Sequence, residues 1–178
     1  MKKLIKKIGL WAGIFLLALI LISFLLPSEV HVKRSVEIKS SMEHVFDQVI
    51  DLRNWEKWDP WKRMDPSMVI TFSNPPLGEG SFYKWESNNK QLGSGTLKLQ
   101  RVIQFEEIET AIDFDGRGTG STLFQFSHKG DKVVVEWSMN IDVGMMPWNK
   151  YKGLMIKSEL KNQFDKGLHG LKFYAEKN

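Results

Sequence analysis

Between Leu97 and Met139 apolar and polar residues alternate with a period of two through four successive segments. That pattern commits this part of the chain to an antiparallel sheet with one covered face and one wet face, because successive side chains on a strand point to opposite sides. Leu97, Leu99, Arg101 and Ile103 share one parity, as do Ile108, Thr110, Ile112 and Phe114. Thr122, Phe124 and Phe126, then Val133, Val135, Trp137 and Met139, continue the apolar side. Lys98, Gln100, Glu107, Glu109, Asp113, Gln125, Lys132, Glu136 and Ser138 fall on the other. With Met68–Ser73 and Ser81–Ser87 before them, the segments Gly95–Ile103, Ile108–Phe114, Ser121–Ser127 and Lys132–Asn140 predict six strands separated by Gly-, Pro- and Asn-rich turns.

A one-faced sheet needs a cover, and the C-terminal segment supplies it. From Trp148 to about Ala175 apolar residues recur at Tyr151, Leu154, Met155, Leu160, Phe164, Leu168 and Leu171, with lysines between them. Spacings of three to five predict one long helix. Gly153, Gly167 and Gly170 weaken it intrinsically by about 1 kcal/mol each, so packing on the sheet must hold it. Ahead of the sheet, Val30–Ile38 alternates as a strand, and Ser40 or Ser41 caps a short helix carrying Val45, Phe46 and Val49 on one face. Arg53–Trp61 is a compact aromatic segment that Pro60 keeps from forming one long helix.

The order strand, two short helices, six strands, long helix predicts an α+β helix-grip fold, a curved antiparallel sheet wrapped on its last helix. This order and several local sequences resemble the SRPBCC superfamily (START-like, birch-allergen-like and polyketide cyclase/dehydrase-type domains). The matching pieces are S-V-E-I-K-S-S-M-E-H-V-F-D-Q-V-I-D, N-W-E-K-W-D-P-W, F-Y-K-W-E-S-N-N-K, G-S-G-T-L-K-L and F-D-K-G-L-H-G-L-K. The resemblance covers essentially all of residues 30–178. The resemblance implies a cavity between sheet and helix, and either a carrier of hydrophobic ligands or a cyclase.

Residues 1–27 are of a different kind. From Ile8 to Leu26 only Gly9, Gly13 and Ser23 are not apolar, and as a helix this run would extend about 28 Å, close to the roughly 30 Å hydrocarbon core. Lys2, Lys3, Lys6 and Lys7 precede it, which orients the N-terminus to the cytoplasm and the domain of residues 28–178 to the periplasm or cell exterior. A signal peptide, secreted after cleavage, is the competing reading. Against it stand the length of the apolar run and the absence of a small-x-small site at Leu25-Leu26-Pro27-Ser28. Removing the four leader lysines from 25 Lys and Arg leaves 21 bases against 21 acids. The domain is therefore charge-balanced, and the overall +4 is no argument for nucleic acid as a partner.

The chain has no cysteine, which excludes disulfides, thiolate catalysis and Cys-ligated metal sites. His31, His44, His128 and His169 show no metal-ligand spacing, and Asp113-x-Asp115-Gly116-x-Gly118 is better taken as a hairpin loop than as a calcium or phosphate loop. No metal or cofactor is expected. Arg101 shares the parity of Leu97 and Leu99, which aims it under the helix toward an anionic group; a bulge that turns it outward is the alternative. Tyr83, Trp85, Leu99, Arg101, Thr110, Phe124, Trp137, Met139, Tyr151 and Met155 are the candidate pocket residues. Trp58, Trp61, Met145, Met146 and Trp148 are the candidate rim. The expected function is membrane-anchored, non-enzymatic binding of a small hydrophobic or amphipathic ligand. A polyketide cyclase/dehydrase-type enzyme and an interaction module with a filled core are the alternatives.

Overall fold

The computed structural model describes residues 2–116 and 118–177, apart from the side chains of Lys2, Lys3 and Ile5. Arg117 of the 115–120 loop and the side chains of two of the four leader lysines thus lie outside the described residues. After an N-terminal helix α1 (Lys2–Ser23) come β1 (Glu29–Ile38), α2 (Met42–Ile50), α3 (Leu52–Trp58) and α4 (Pro60–Met64). Six strands follow: β2 (Val69–Phe72), β3 (Phe82–Glu86), β4 (Ser94–Ile103), β5 (Glu107–Asp113), β6 (Thr119–Lys129) and β7 (Lys132–Asp142). The chain ends in α5 (Pro147–Glu176). The strands form one antiparallel seven-stranded sheet in the order β1-β7-β6-β5-β4-β3-β2. Its curved face grips α5, which is the helix-grip architecture.

The local signals act as the sequence predicts. Ser41 caps α2 by accepting from the His44 amide at 3.2 Å. One short helix more forms than the periodicity indicates, because Asp59 and Pro60 end α3 and start α4 at the same corner. The Asp59 amide closes α3 on the Trp55 carbonyl at 2.7 Å, its carboxylate accepts from the Trp61 amide at 3.0 Å, and Pro60 takes the first position of α4.

The centre of the molecule is a stack of aromatic rings. Trp137 of β7 lies between Phe124 of β6 (4.9 Å, 20°) and Phe164 of α5 (4.0 Å, 7°). Trp55 and Trp58 plug the gap beside them, with ring centroids 5.6 and 6.2 Å from Phe124. Their indole N–H groups donate to the carbonyls of Val49 and Gln48. This explains the glycines of α5. A Cβ at Gly167 would stand 2.8 Å from the Trp137 ring and 3.1 Å from Pro60, and one at Gly170 would stand 3.1 Å from the Trp58 carbonyl. The helix gives up intrinsic stability for close approach. Arg34 on β1 pairs with Asp165, and Lys172 donates to the Glu37 carbonyl at 2.7 Å, holding α5 along the first strand.

Candidate functional site

The aromatic stack fills the middle of the grip but not its end. Beyond it, between β3, β4, β5 and β7 on one side and α4 and α5 on the other, lies a cavity of about 210 Å³. It is lined by Tyr83 and Trp85 of β3, Leu97 of β4, Ile112 and Phe114 around β5, and Met139 and Ile141 of β7. Asp59, Trp61, Met68, Gln91, Leu92 and Leu160 complete the wall. Alternation brings these residues together, since Tyr83 and Leu97 are direct cross-strand partners and Trp85 stands opposite Gly95. A Cβ at Gly95 would come within 2.3 Å of the Trp85 ring, so this glycine makes the room that the indole occupies over β4. For scale, a dry cavity of roughly 150 Å³ accommodates benzene. The space suits one ring system or a short chain and is too small for a whole diacyl lipid.

Two ionisable groups interrupt this apolar wall. Asp59 is buried, and burial pushes its carboxyl up to about 7, against the opposing pull of the Trp61 amide and the Arg63 charge. The Tyr83 hydroxyl is buried as well; desolvation, and then the nearby Asp59 charge, drive it well above the usual phenol range. Tyr83 is thus a neutral hydroxyl that can donate or accept. Asp59 presents either a proton or a charge close to neutrality, with one oxygen committed to the α4 amide. Among the described residues no group of three or more His, Asp or Glu is arranged to hold a metal ion.

Of the residues singled out in the sequence, Tyr83, Trp85, Met139 and Trp61 line the cavity. Leu99, Thr110, Phe124, Trp137 and Trp58 lie deeper, as packed core, and the Thr110 hydroxyl is satisfied by Thr122 across the strands at 2.8 Å. Arg101 requires a correction. A β-bulge between Leu99 and Arg101 resets the parity of β4, so Val102 turns inward and Arg101 turns to the wet face, paired with Glu107 and Glu109. Met155, Met145, Met146 and Trp148 are exposed and do not line the cavity, because the first turns of α5 bury only Lys150 and Gly153 and the preceding loop stands outside the grip. Tyr151 is half-buried against α1, its hydroxyl donating to the Leu19 carbonyl at 2.7 Å. Asp59 was not among the sequence candidates. Its signal is a carboxylate set between Trp58, Pro60 and Trp61, where solvent has little access.

α1 is long and apolar enough to cross a membrane or to be a signal sequence, with mean hydropathy 1.8 over Lys6–Ser23 and almost no burial against the rest of the molecule.

No curated protein matches the chain. Several solved structures share its fold at low identity. Protein CV1439 from Chromobacterium violaceum is 14% identical with a TM-score of 0.60, over 85% of this chain and all of that one. The Aha1 dimer from Colwellia psychrerythraea gives 16% and 0.58, over 83% of this chain and 97% of that one. Ara h 8.0201 gives 11% and 0.55, over 84% and 99%. At these identities the likeness concerns the fold. The family assignment rests on sequence: the model of the family described as "Polyketide cyclase / dehydrase and lipid transport" matches residues 29–176. The chain belongs to this polyketide cyclase/dehydrase and lipid transport family, within the SRPBCC superfamily.

Proposed function

We propose that residues 28–178 form one binding domain for a small amphipathic molecule, held beside a membrane by the apolar segment of residues 8–26. The observation that carries this reading is the cavity, whose walls are apolar except for Asp59, Tyr83 and Gln91. An apolar pocket with a few convergent polar groups is the usual form of a small-molecule site. The ligand has a ring or short-chain body of the size of the cavity and one polar end, a hydroxyl or amine, that donates to Asp59 or exchanges hydrogen bonds with Tyr83. The four leader lysines support an N-terminus in the cytoplasm and a domain outside it.

The test is native mass spectrometry of the full chain extracted in mild detergent, followed by solvent extraction and identification of bound small molecules. The native chain carries an amphipathic ligand. Ile112→Trp, which fills the cavity, loses it while keeping the fold by circular dichroism. A native chain that never carries or takes up a small amphipathic molecule, across a panel of hydroxylated and aminated aromatic and short-chain compounds, overturns the reading.

One observation favours an enzyme instead. A carboxyl balanced near neutrality in an apolar cavity is the form a general acid or base takes. In that case Asp59 moves the proton and Tyr83 holds the oxygen that gains charge. Asp59→Asn then abolishes turnover of a bound ligand without releasing it, whereas a carrier shows no turnover to lose.

A further inference from the structure

The outward side of α5 at its beginning is apolar where a surface helix should be polar. Trp148, Tyr151 and Met155, spaced by three and four, share one side of the helix, opposite Gly153, whose position faces Val30 and Val143 of the body at 3.2 Å. Trp148 is 59% exposed and Met155 75%, and Met145 and Met146 in the preceding loop are 74% and 54% exposed. Among the described residues of the domain, nothing covers Trp148 or Met155. What stands beside it is α1: the Tyr151 hydroxyl donates to the carbonyl of Leu19, four residues, or about 6 Å along the axis, before α1 ends at Ser23. Phe24 and Leu25, also exposed, follow directly after α1.

We infer that the first three turns of α5 lie in the interface of the bilayer that α1 crosses, as a second membrane contact of the domain. The inference rests on the reading of α1 as a retained membrane-spanning helix. Three features identify a lipid surface as the occupant. The face is continuous with the apolar helix that enters the bilayer, and Tyr151 sets it at the depth of the last turn of that helix. Its aromatic members, Trp148 and Tyr151, are the types that prefer the membrane–water boundary. From Pro147 through Ser158 the helix carries Lys150, Lys152 and Lys157 and no acid. Lys152 and Lys157 are exposed, which suits anionic headgroups and lets their stems lie along the apolar surface. The arrangement also bears on ligand traffic. Leu160 of the cavity wall belongs to the same helix that carries this face, and Ile141 to the end of the strand before it, so the face and the cavity share α5.

The absence of cysteine gives a direct experiment. Leu16→Cys in α1, Met155→Cys on the proposed face and Lys98→Cys on the wet face of the sheet are each spin-labelled in the full chain. The labelled chains are reconstituted into vesicles of phosphatidylcholine and phosphatidylglycerol. Accessibility to oxygen, which concentrates in lipid, is compared with accessibility to a water-soluble nickel complex. The expected result is that the label at Met155 loses nickel access and gains oxygen access as the label at Leu16 does, while the label at Lys98 does the reverse. Trp148→Cys repeats the Met155 measurement and guards against a local effect of one label. If Leu16 is in lipid and both α5 sites are in water, the proposed contact is overturned and the anchor stands. If Leu16 is itself in water, both fall. Exclusion of both reagents with spin–spin broadening at Met155 would show a second copy on the face and also overturn the lipid contact.

Discussion

Asp59→Asn separates two duties that one side chain performs, and the structure assigns a magnitude to the second. The first duty is the α4 cap, in which a carboxylate oxygen accepts from the Trp61 amide at 3.0 Å; asparagine retains an acceptor oxygen and caps a helix as well as aspartate. The second is ionisation. Burial raises this carboxyl from its ordinary value of 3.8 to about 7, and at about 1.4 kcal/mol for each pH unit the charged form costs the folded protein about 4 kcal/mol. The folded state binds this proton more tightly than the unfolded chain. Stability from this group is therefore fully present below the unfolded value and is lost as pH rises through the folded one. The check is urea unfolding of the full chain in mild detergent, followed by tryptophan fluorescence from about pH 4 to about pH 8. Native protein and variant should agree at the acid end. The variant should gain steadily through the window and be more stable by up to about 4 kcal/mol at the alkaline end. Taking the difference between the two proteins cancels groups whose shifts run the other way, such as Asp51 beside Arg53 and Asp65 beside Ser67 and Ser87. A difference independent of pH would refute the reasoning and mean that water reaches Asp59.

Gly167→Ala gains about 1 kcal/mol of helix propensity but sets a methyl 2.8 Å from the Trp137 ring; a net loss of about 1–2 kcal/mol is expected, as for overpacking, read as a lower urea midpoint. Gly153→Ala has as its nearest neighbours valine methyls at 3.2 to 3.5 Å, which can yield, and should cost less than Gly167→Ala in the same assay. Arg101→Ala removes two ion pairs on the wet face and should change stability by less than about 1 kcal/mol and leave ligand recovery in mass spectrometry intact. Loss of the ligand would restore the inward arginine.

The strands and the last helix were legible because their signals are local. A period of two from Leu97 to Met139 and a spacing of three to five from Trp148 onward each name an element without reference to the rest of the chain. The cap at Ser41 and the break at Pro60 have the same character. Arg101 shows where parity fails: one extra residue in β4 reverses every side chain after it, and no local pattern marks the bulge. Thr110, Phe124 and Trp137 were correctly placed on the covered side, yet parity cannot distinguish a residue packed under α3 from one beside a cavity. For Asp59 the flanking Trp58, Pro60 and Trp61 are a hint of low solvent access, but sequence does not say which way the carboxyl points. Only the walls of Trp61, Tyr83 and Trp85 around it make it a buried one.

The sequence by itself determined the elements, the side of the sheet that is covered, the charge balance of the domain and the presence of an apolar helix ahead of it. These follow from periodicity and composition, which act over a few neighbouring residues. Tertiary structure decided how much of the interior stays empty, because that depends on rings from α3, β6, β7 and α5 meeting at 4 to 6 Å. It also decided which carboxyl sits in that space and which face of α5 is left uncovered beside α1. Volume, burial and exposure are properties of packed elements, and no segment of the chain carries them alone.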